Sequence, residues 1–153
     1  MPTIERSTTL RAPAPVVWNA LVADSGAFRF VTRGLIRYPA AAGWAERIRP
    51  GQRLSGLLWL FGVLPISRHT LEVVAVDEDD HRLVTSEGGG PVRTWRHTIS
   101  VTPAGDRGCR YTDHLEIDAG AATPVVVAFA RGFYAVRQRR WRSLAPLLGA
   151  ATR

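Results

Sequence analysis

The hydrophobic and polar positions near the start of the chain follow a two-residue period and then a helical one. Residues 3–11 alternate between the two faces of a strand, with Ile4 and Leu10 on the apolar face. After the proline-rich residues 12–15, apolar side chains recur at helical spacing as far as Leu21, which predicts a short helix. Asp24 and Ser25 end that helix and can cap a second one over residues 26–33.

The middle of the chain, residues 34–118, has no helical period. Turn-forming residues divide it into β-rich runs, and a weaker strand lies between Leu35 and Ile48; the stronger runs cover residues 53–61, 67–76, 82–87, 92–102 and 109–118. Consecutive strands joined by short polar turns form an antiparallel meander. With the first strand, these runs predict a seven-stranded antiparallel sheet.

A long amphipathic helix follows the last strand. Thr123 can cap it, Pro124 suits its first position, and the apolar face continues towards Leu148 through Val126, Phe129, Phe133, Val136, Arg140 and Leu144. Gly132, near its middle, leaves room for a ligand or eases packing against the sheet. A single curved sheet buries one face by wrapping around this helix, so we expect one α+β domain over residues 1–153.

Composition and charge narrow the class of protein. Of 153 residues, 46% are hydrophobic and 22% are charged, which is typical of a globular chain, and the one cysteine, Cys109, excludes an internal disulfide. No signal peptide or membrane-spanning run is visible, so we expect a cytoplasmic protein. The net charge is +7, and all 20 basic residues are arginines. Because the arginines are scattered, they indicate a compositional bias and no nucleic-acid partner, while an anionic partner stays possible.

The order of elements resembles that of the helix-grip superfamily, which includes START lipid-transfer domains, pollen-allergen-like proteins and bacterial polyketide cyclase/dehydratase-like proteins (SRPBCC). The resemblance covers the whole chain and is carried by residues 12–18 and 123–144, while residues 69–73, 95–97 and 110–113 are similar to those of a small bacterial branch. It implies a curved sheet gripping the C-terminal helix. It does not select a function, because the superfamily includes binders, transporters and enzymes.

Strand alternation places polar side chains on the face that meets the helix. In the run 92–102 this face carries Arg93, Trp95, His97 and Ile99, and in 109–118 it carries Tyr111, Asp113 and Leu115. A short turn between these strands places His97 directly opposite Asp113, so we expect a hydrogen bond between them. The same alternation turns His69 and Glu87 inward on two other strands.

These inward polar residues admit several interpretations. They form a hydrogen-bonded network that holds the strand register, the polar end of a ligand pocket, or an acid–base pair of His97 and Asp113. A metal site of His69, His97, Glu87 and Asp113 lacks any short metal-ligand spacing, and we expect neither a metal nor a cofactor.

We therefore expect a cavity between sheet and helix that binds a small apolar or amphipathic molecule, for transport or sequestration. The expected ligand-binding residues are His69, Glu87, Arg93, Trp95, Ile99, Tyr111, Leu115, Phe129 and Phe133. The alternative is a cyclase/dehydratase-like lyase without a cofactor, in which His97 and Asp113 are catalytic, and a further alternative is an interaction module for an anionic partner. The apolar residues 57–65 are expected to be buried; otherwise they form an exposed tip, and a monomer and a homodimer both stay possible.

Overall fold

Seven strands form one antiparallel sheet in the part of the chain that this computed structural model describes, residues 1–37 and 47–152. Their spatial order is β1-β7-β6-β5-β4-β3-β2. The strands are β1 Thr3–Leu10, β2 Ile36–Arg37, β3 Arg53–Leu60, β4 Leu64–Asp77, β5 Arg82–Gly89, β6 Val92–Pro103 and β7 Cys109–Asp118. The predicted sheet is confirmed. The weaker strand expected between Leu35 and Ile48 is β2, and the rest of that prediction, residues 38–46, falls outside the described residues.

Two short helices, α1 (Ala14–Ala23) and α2 (Ser25–Thr32), follow β1 as predicted. The carboxylate of Asp24 caps α2, because its Oδ1 accepts hydrogen bonds from the backbone N–H groups of Gly26 at 2.8 Å and Ala27 at 3.3 Å.

The long helix α3 (Thr123–Ala151) begins directly after a 3₁₀ turn over Gly120–Ala122. The Thr123 hydroxyl donates to the Gly120 carbonyl at 2.7 Å and accepts from the Ala119 N–H at 2.9 Å. It therefore stabilises the turn before the helix, and the prediction that it caps α3 is wrong. Ala122 occupies the cap position, and the helix extends three residues beyond Leu148.

The concave face of the sheet packs against α3 through two apolar clusters. We call the first the distal cluster, in which Trp18 of α1 and Trp141 of α3 are buried with Tyr111 of β7. The second, the proximal cluster, contains Phe133 and Tyr134 of α3 with Trp95 of β6 and Leu115 of β7. Together the two clusters bury successive lengths of one face of α3. None of the described helices combines the length and apolar character that crossing a membrane requires.

The hairpin between β3 and β4 carries an exposed apolar tip. Phe61 (φ 53°) and Gly62 (φ 73°) form its turn in left-handed backbone conformations, as a tight hairpin requires. Phe61, Val63 and Leu64 are 56%, 77% and 55% exposed, whereas Leu58 is buried. The expectation that residues 57–65 are buried as a whole is therefore wrong, because only the side chains on the concave face are covered.

Candidate functional site

A cavity of about 310 Å³ lies between the first half of α3 and strands β3 to β6. Most of its wall is apolar, and the cavity is partly open to solvent, with the lining residues Ile66 and Val125 exposed. Its lining residues are Ile36, Leu58, Leu60, Ile66, Ser67, His69, Glu87, Gly89, Pro91, Val92, Trp95, Val125, Val126, Phe129, Phe133 and Tyr134. An apolar hollow with a few polar groups is the usual form of a small-molecule site.

His69 and Glu87 form a buried polar pair in the wall of the cavity. They lie on neighbouring strands, β4 and β5, and their Nε2 and Oε2 atoms are 2.9 Å apart. Their side chains are only 9% and 8% exposed. A carboxylate in an apolar wall is costly unless it is paired, so this contact allows Glu87 to lie there.

A second polar pair, His97 and Asp113, lies behind the cavity. The predicted register is wrong, because His97 is opposite Leu115 and Asp113 is opposite Ile99. Since this displacement is an even number of residues, both side chains keep their face of the sheet. The predicted hydrogen bond is present as a diagonal contact, with His97 Nε2 2.8 Å from Asp113 Oδ1.

Two residues of α3 extend this pair into a chain that reaches the cavity. The Tyr134 hydroxyl lies 3.3 Å from His97 Nδ1, and Tyr134 itself lines the cavity. At the other end, Gln138 Nε2 donates to Asp113 Oδ2 at 2.9 Å and to the Arg6 carbonyl at 2.7 Å. We call Tyr134, His97, Asp113 and Gln138 the relay chain; all four are buried.

The surroundings of Asp113 favour its charged form. Burial opposes ionisation, but the hydrogen bond and electrostatic interaction with His97, the charge of Arg137 and the hydrogen bond from Gln138 together lower the pKa of Asp113. Burial raises the pKa of Tyr134 and of Tyr111, so both phenols stay protonated. The relay chain therefore combines an ionised carboxylate with a neutral phenol.

The expected ligand-binding residues divide into two groups. His69, Glu87, Trp95, Phe129 and Phe133 line the cavity. Four others do not, contrary to expectation: Ile99 and Tyr111 belong to the distal cluster, Leu115 belongs to the proximal cluster, and Arg93 is exposed with its guanidinium beside Gly120.

The physical reason is the position of α3. It lies closest to β1 and β7 and reaches β6 through the Tyr134 side chain, so inward residues of β6 and β7 at this level become core and cannot contact a ligand. The two expected catalytic residues, His97 and Asp113, lie one layer behind Tyr134 for the same reason.

Sequence reasoning missed Tyr134 and Gln138, although a signal was available. They lie four residues apart on α3, in step with the buried Trp141, and therefore share one helix face. Within residues 1–37 and 47–152, no three histidine, cysteine or acidic side chains are grouped as a metal ion requires.

Solved structures of very different sequence share this fold. A norcoclaurine synthase point mutant from Thalictrum flavum, in complex with a transition state analogue, is 15% identical with a TM-score of 0.72, over 99% of this chain and 96% of that one. A START superfamily protein from Mycobacterium smegmatis is 13% identical with a TM-score of 0.68, over 95% and 98%. These likenesses confirm the START-like helix-grip fold.

Sequence comparison identifies a family but not an activity. Residues 8–144 match the family described as "Domain of unknown function (DUF8410)". The curated proteins contain no match to this sequence.

Proposed function

The chain belongs to the DUF8410 family, and on that premise we propose that its cavity binds a small, largely apolar molecule carrying one polar group. The observation that carries this proposal is the apolar cavity of about 310 Å³ with the buried His69–Glu87 pair in its wall. Binding, for transport or sequestration, needs no reacting group in the cavity.

The aromatic part of the wall supports an apolar ligand. Phe129 and Phe133 stack with ring centroids 5.8 Å apart, and Trp95 borders the same hollow. Covering these surfaces with a ligand removes apolar area from water, which stabilises the complex by about 25 cal/mol for each Å². The polar pair then orients the ligand by meeting its polar group.

Native mass spectrometry of the protein purified from its own host tests this proposal. We expect a co-purified small molecule, which is absent from Val126→Trp because the larger side chain fills the hollow. Ala128→Trp, an exposed position on the same helix, is the matched control and keeps the molecule. An equal amount of ligand on Val126→Trp and the wild type would place it outside the cavity and contradict the proposal.

The relay chain supports a second candidate, a cyclase/dehydratase-like enzyme. One of the similar structures is a synthase, and Tyr134 gives the His97–Asp113 pair a route to the cavity. In this reaction Tyr134 contacts the substrate, His97 exchanges a proton with Tyr134, and Asp113 orients His97.

The co-purified molecule distinguishes the two candidates. If the wild type converts the molecule into a different compound and His97→Ala does not, the enzyme is supported. If both proteins release it unchanged, the chain is a binder.

A further inference from the structure

The tip of the β3–β4 hairpin presents three apolar side chains to solvent. Phe61, Val63 and Leu64 are 56%, 77% and 55% exposed. The hairpin is anchored to its neighbours, because the Phe61 N–H donates to the Leu35 carbonyl at 2.8 Å and β2 pairs with β3 directly before the tip. A group of exposed apolar side chains at one place marks a surface that binds a partner or a membrane.

Two exposed arginines lie behind this tip. Arg37 of β2 is opposite Trp59, and its guanidinium lies 5.1 Å from the centroid of the Trp59 ring. Arg68 lies four residues beyond Leu64 on β4. Residues 47–71, which include the hairpin tip, contain no aspartate or glutamate. The hairpin is therefore apolar at its end and positively charged behind it.

The longest acidic run of the chain lies at the opposite end of the sheet. Residues 77–80 read Asp-Glu-Asp-Asp and lie at the turn between β4 and β5. The 14 residues of β4 separate this run from the tip, a distance of roughly 40 Å at about 3.3 Å for each residue. A molecule that approaches an anionic surface with its tip first therefore keeps these carboxylates far from that surface.

We propose that the hairpin tip docks the protein on an anionic lipid membrane. The three apolar side chains of the tip enter the apolar boundary of the bilayer, and Arg37 and Arg68 meet the lipid phosphates. Arg37 is opposite a residue two positions from the tip and Arg68 lies four positions from it, so their backbones lie about 7 and 13 Å behind the tip. The long arginine side chains allow the guanidinium groups to stay in the polar headgroup layer.

A second copy of the chain fits this surface less well than a membrane does. Two tips in contact bring Arg37 and Arg68 of both copies together, and like charges across an interface disfavour association. An anionic bilayer covers the same apolar side chains and attracts both arginines. The net charge of +7 adds to that attraction.

The cavity reaches the same end of the molecule. Leu60 and Ile66, which lie on either side of the tip residues, both line it, and Ile66 is 46% exposed. A docked molecule can therefore exchange an apolar ligand with the bilayer while little of that ligand crosses water. This consequence rests on the proposed binding function, whereas the docking itself does not.

Sedimentation with lipid vesicles tests the docking. We expect the wild type to bind vesicles of equimolar phosphatidylcholine and phosphatidylglycerol, and to bind phosphatidylcholine alone much more weakly. Val63→Asp should bind the mixed vesicles at least about ten-fold more weakly, because it loses one buried valine side chain and adds a repelled charge. Arg68→Gln should bind them about five-fold more weakly, which is the usual contribution of one basic residue near such a surface.

Each variant has a matched control at the other end of the molecule. Leu147→Asp places the same charge on an apolar side chain that is 68% exposed near the end of α3. Arg107→Gln removes the same charge from the exposed turn between β6 and β7. Both controls should keep an affinity close to that of the wild type for the mixed vesicles.

Several results would overturn the inference. A wild type that does not bind the mixed vesicles is one, and equal losses in Val63→Asp and Leu147→Asp are another. A wild type that binds no vesicles but forms a dimer that Val63→Asp dissociates, as measured by analytical ultracentrifugation, would assign the tip to a second copy. In each case the co-purified molecule in native mass spectrometry still decides the proposed binding function.

A fluorescent probe at the tip reports its depth independently of affinity. Nitrobenzoxadiazole attached to Val63→Cys should shift its emission to the blue on mixed vesicles as it leaves water, whereas the same probe on Leu147→Cys should not. The label attaches to the introduced thiol, because Cys109 is buried and burial raises its pKa to about 11. Unshifted emission at position 63 on vesicle-bound protein would place the membrane contact elsewhere and overturn the inference.

Discussion

At the scale of single residues, Asp113 is the most demanding side chain in the molecule. It is fully buried and accepts hydrogen bonds from His97 and Gln138, with the Tyr111 hydroxyl a further donor at 3.4 Å. Its position followed from strand alternation alone, which tolerates a register error of two residues. The relay-chain residues that α3 contributes could not be predicted in this way. Because they are polar, a simple apolar stripe places them on the solvent side of the helix.

Asp113 should make the stability of the protein depend on pH. Its pKa is lower in the folded chain than in the unfolded one, so its contribution is present above the ordinary aspartate value of about 3.9 and is lost as the pH falls through the folded pKa. Urea unfolding from about pH 6 downwards should show the wild type losing stability below about pH 4, with a smaller slope for Asp113→Asn. Identical slopes for the two proteins would show that Asp113 does not have a lowered pKa.

Removing Asp113 altogether should be more damaging than neutralising it. Asp113→Ala leaves His97 and Gln138 buried without their acceptor, and we expect the free energy of unfolding to fall by about 3 kcal/mol. Asp106→Ala, in the exposed turn, should change it by less than about 0.5 kcal/mol. Urea denaturation of both variants measures the difference, and equal losses would contradict the structural role of the relay chain.

At the scale of elements, α3 shows where sequence patterning stops being informative. The predicted apolar stripe included Val136, Arg140 and Leu144, but these are half-buried, and the buried face is Ala130, Phe133, Tyr134, Arg137, Gln138, Trp141 and Ala145. Compared with the predicted stripe, the helix is rotated so that some polar side chains face the sheet. The sheet supplies their hydrogen-bond partners, as the bonds from Gln138 to Asp113 and to the Arg6 carbonyl show. The existence of each element follows from periodicity, whereas the rotation of α3 depends on partners distant in sequence.

Two glycines give opposite predictions at this scale. Gly132 is exposed, and a Cβ added there meets nothing within 4 Å, so it neither makes room for a ligand nor eases packing on the sheet. Gly132→Ala should raise the free energy of unfolding by about 0.8 kcal/mol through better helix propensity.

Gly89 has φ 147°, and a Cβ there would collide with the Arg68 carbonyl oxygen. Gly89→Ala should therefore destabilise the protein, and a stabilisation measured by urea denaturation would contradict the geometry.

At the scale of the whole molecule, the cavity follows from how α3 is covered along its length. Its second half is sealed by α1 and the distal cluster, where Trp141 packs against Tyr111 with ring centroids 5.5 Å apart. Its first half lies over the proximal cluster and the cavity. Both clusters draw on α3 and on β6 and β7. We therefore propose that residues 1–153 form one domain.

This asymmetry should appear in native-state hydrogen exchange. Amides in the first half of α3, before Phe133, should exchange faster than those around Trp141, because local opening there disrupts fewer buried contacts. A ligand in the cavity stabilises the closed form by mass action, so an excess of the co-purified molecule should slow exchange in that half and in β3 and β4, and leave the Trp141 region nearly unchanged. Uniform exchange along α3, or protection concentrated around Trp141, would show that the cavity is not the less stable part of the fold.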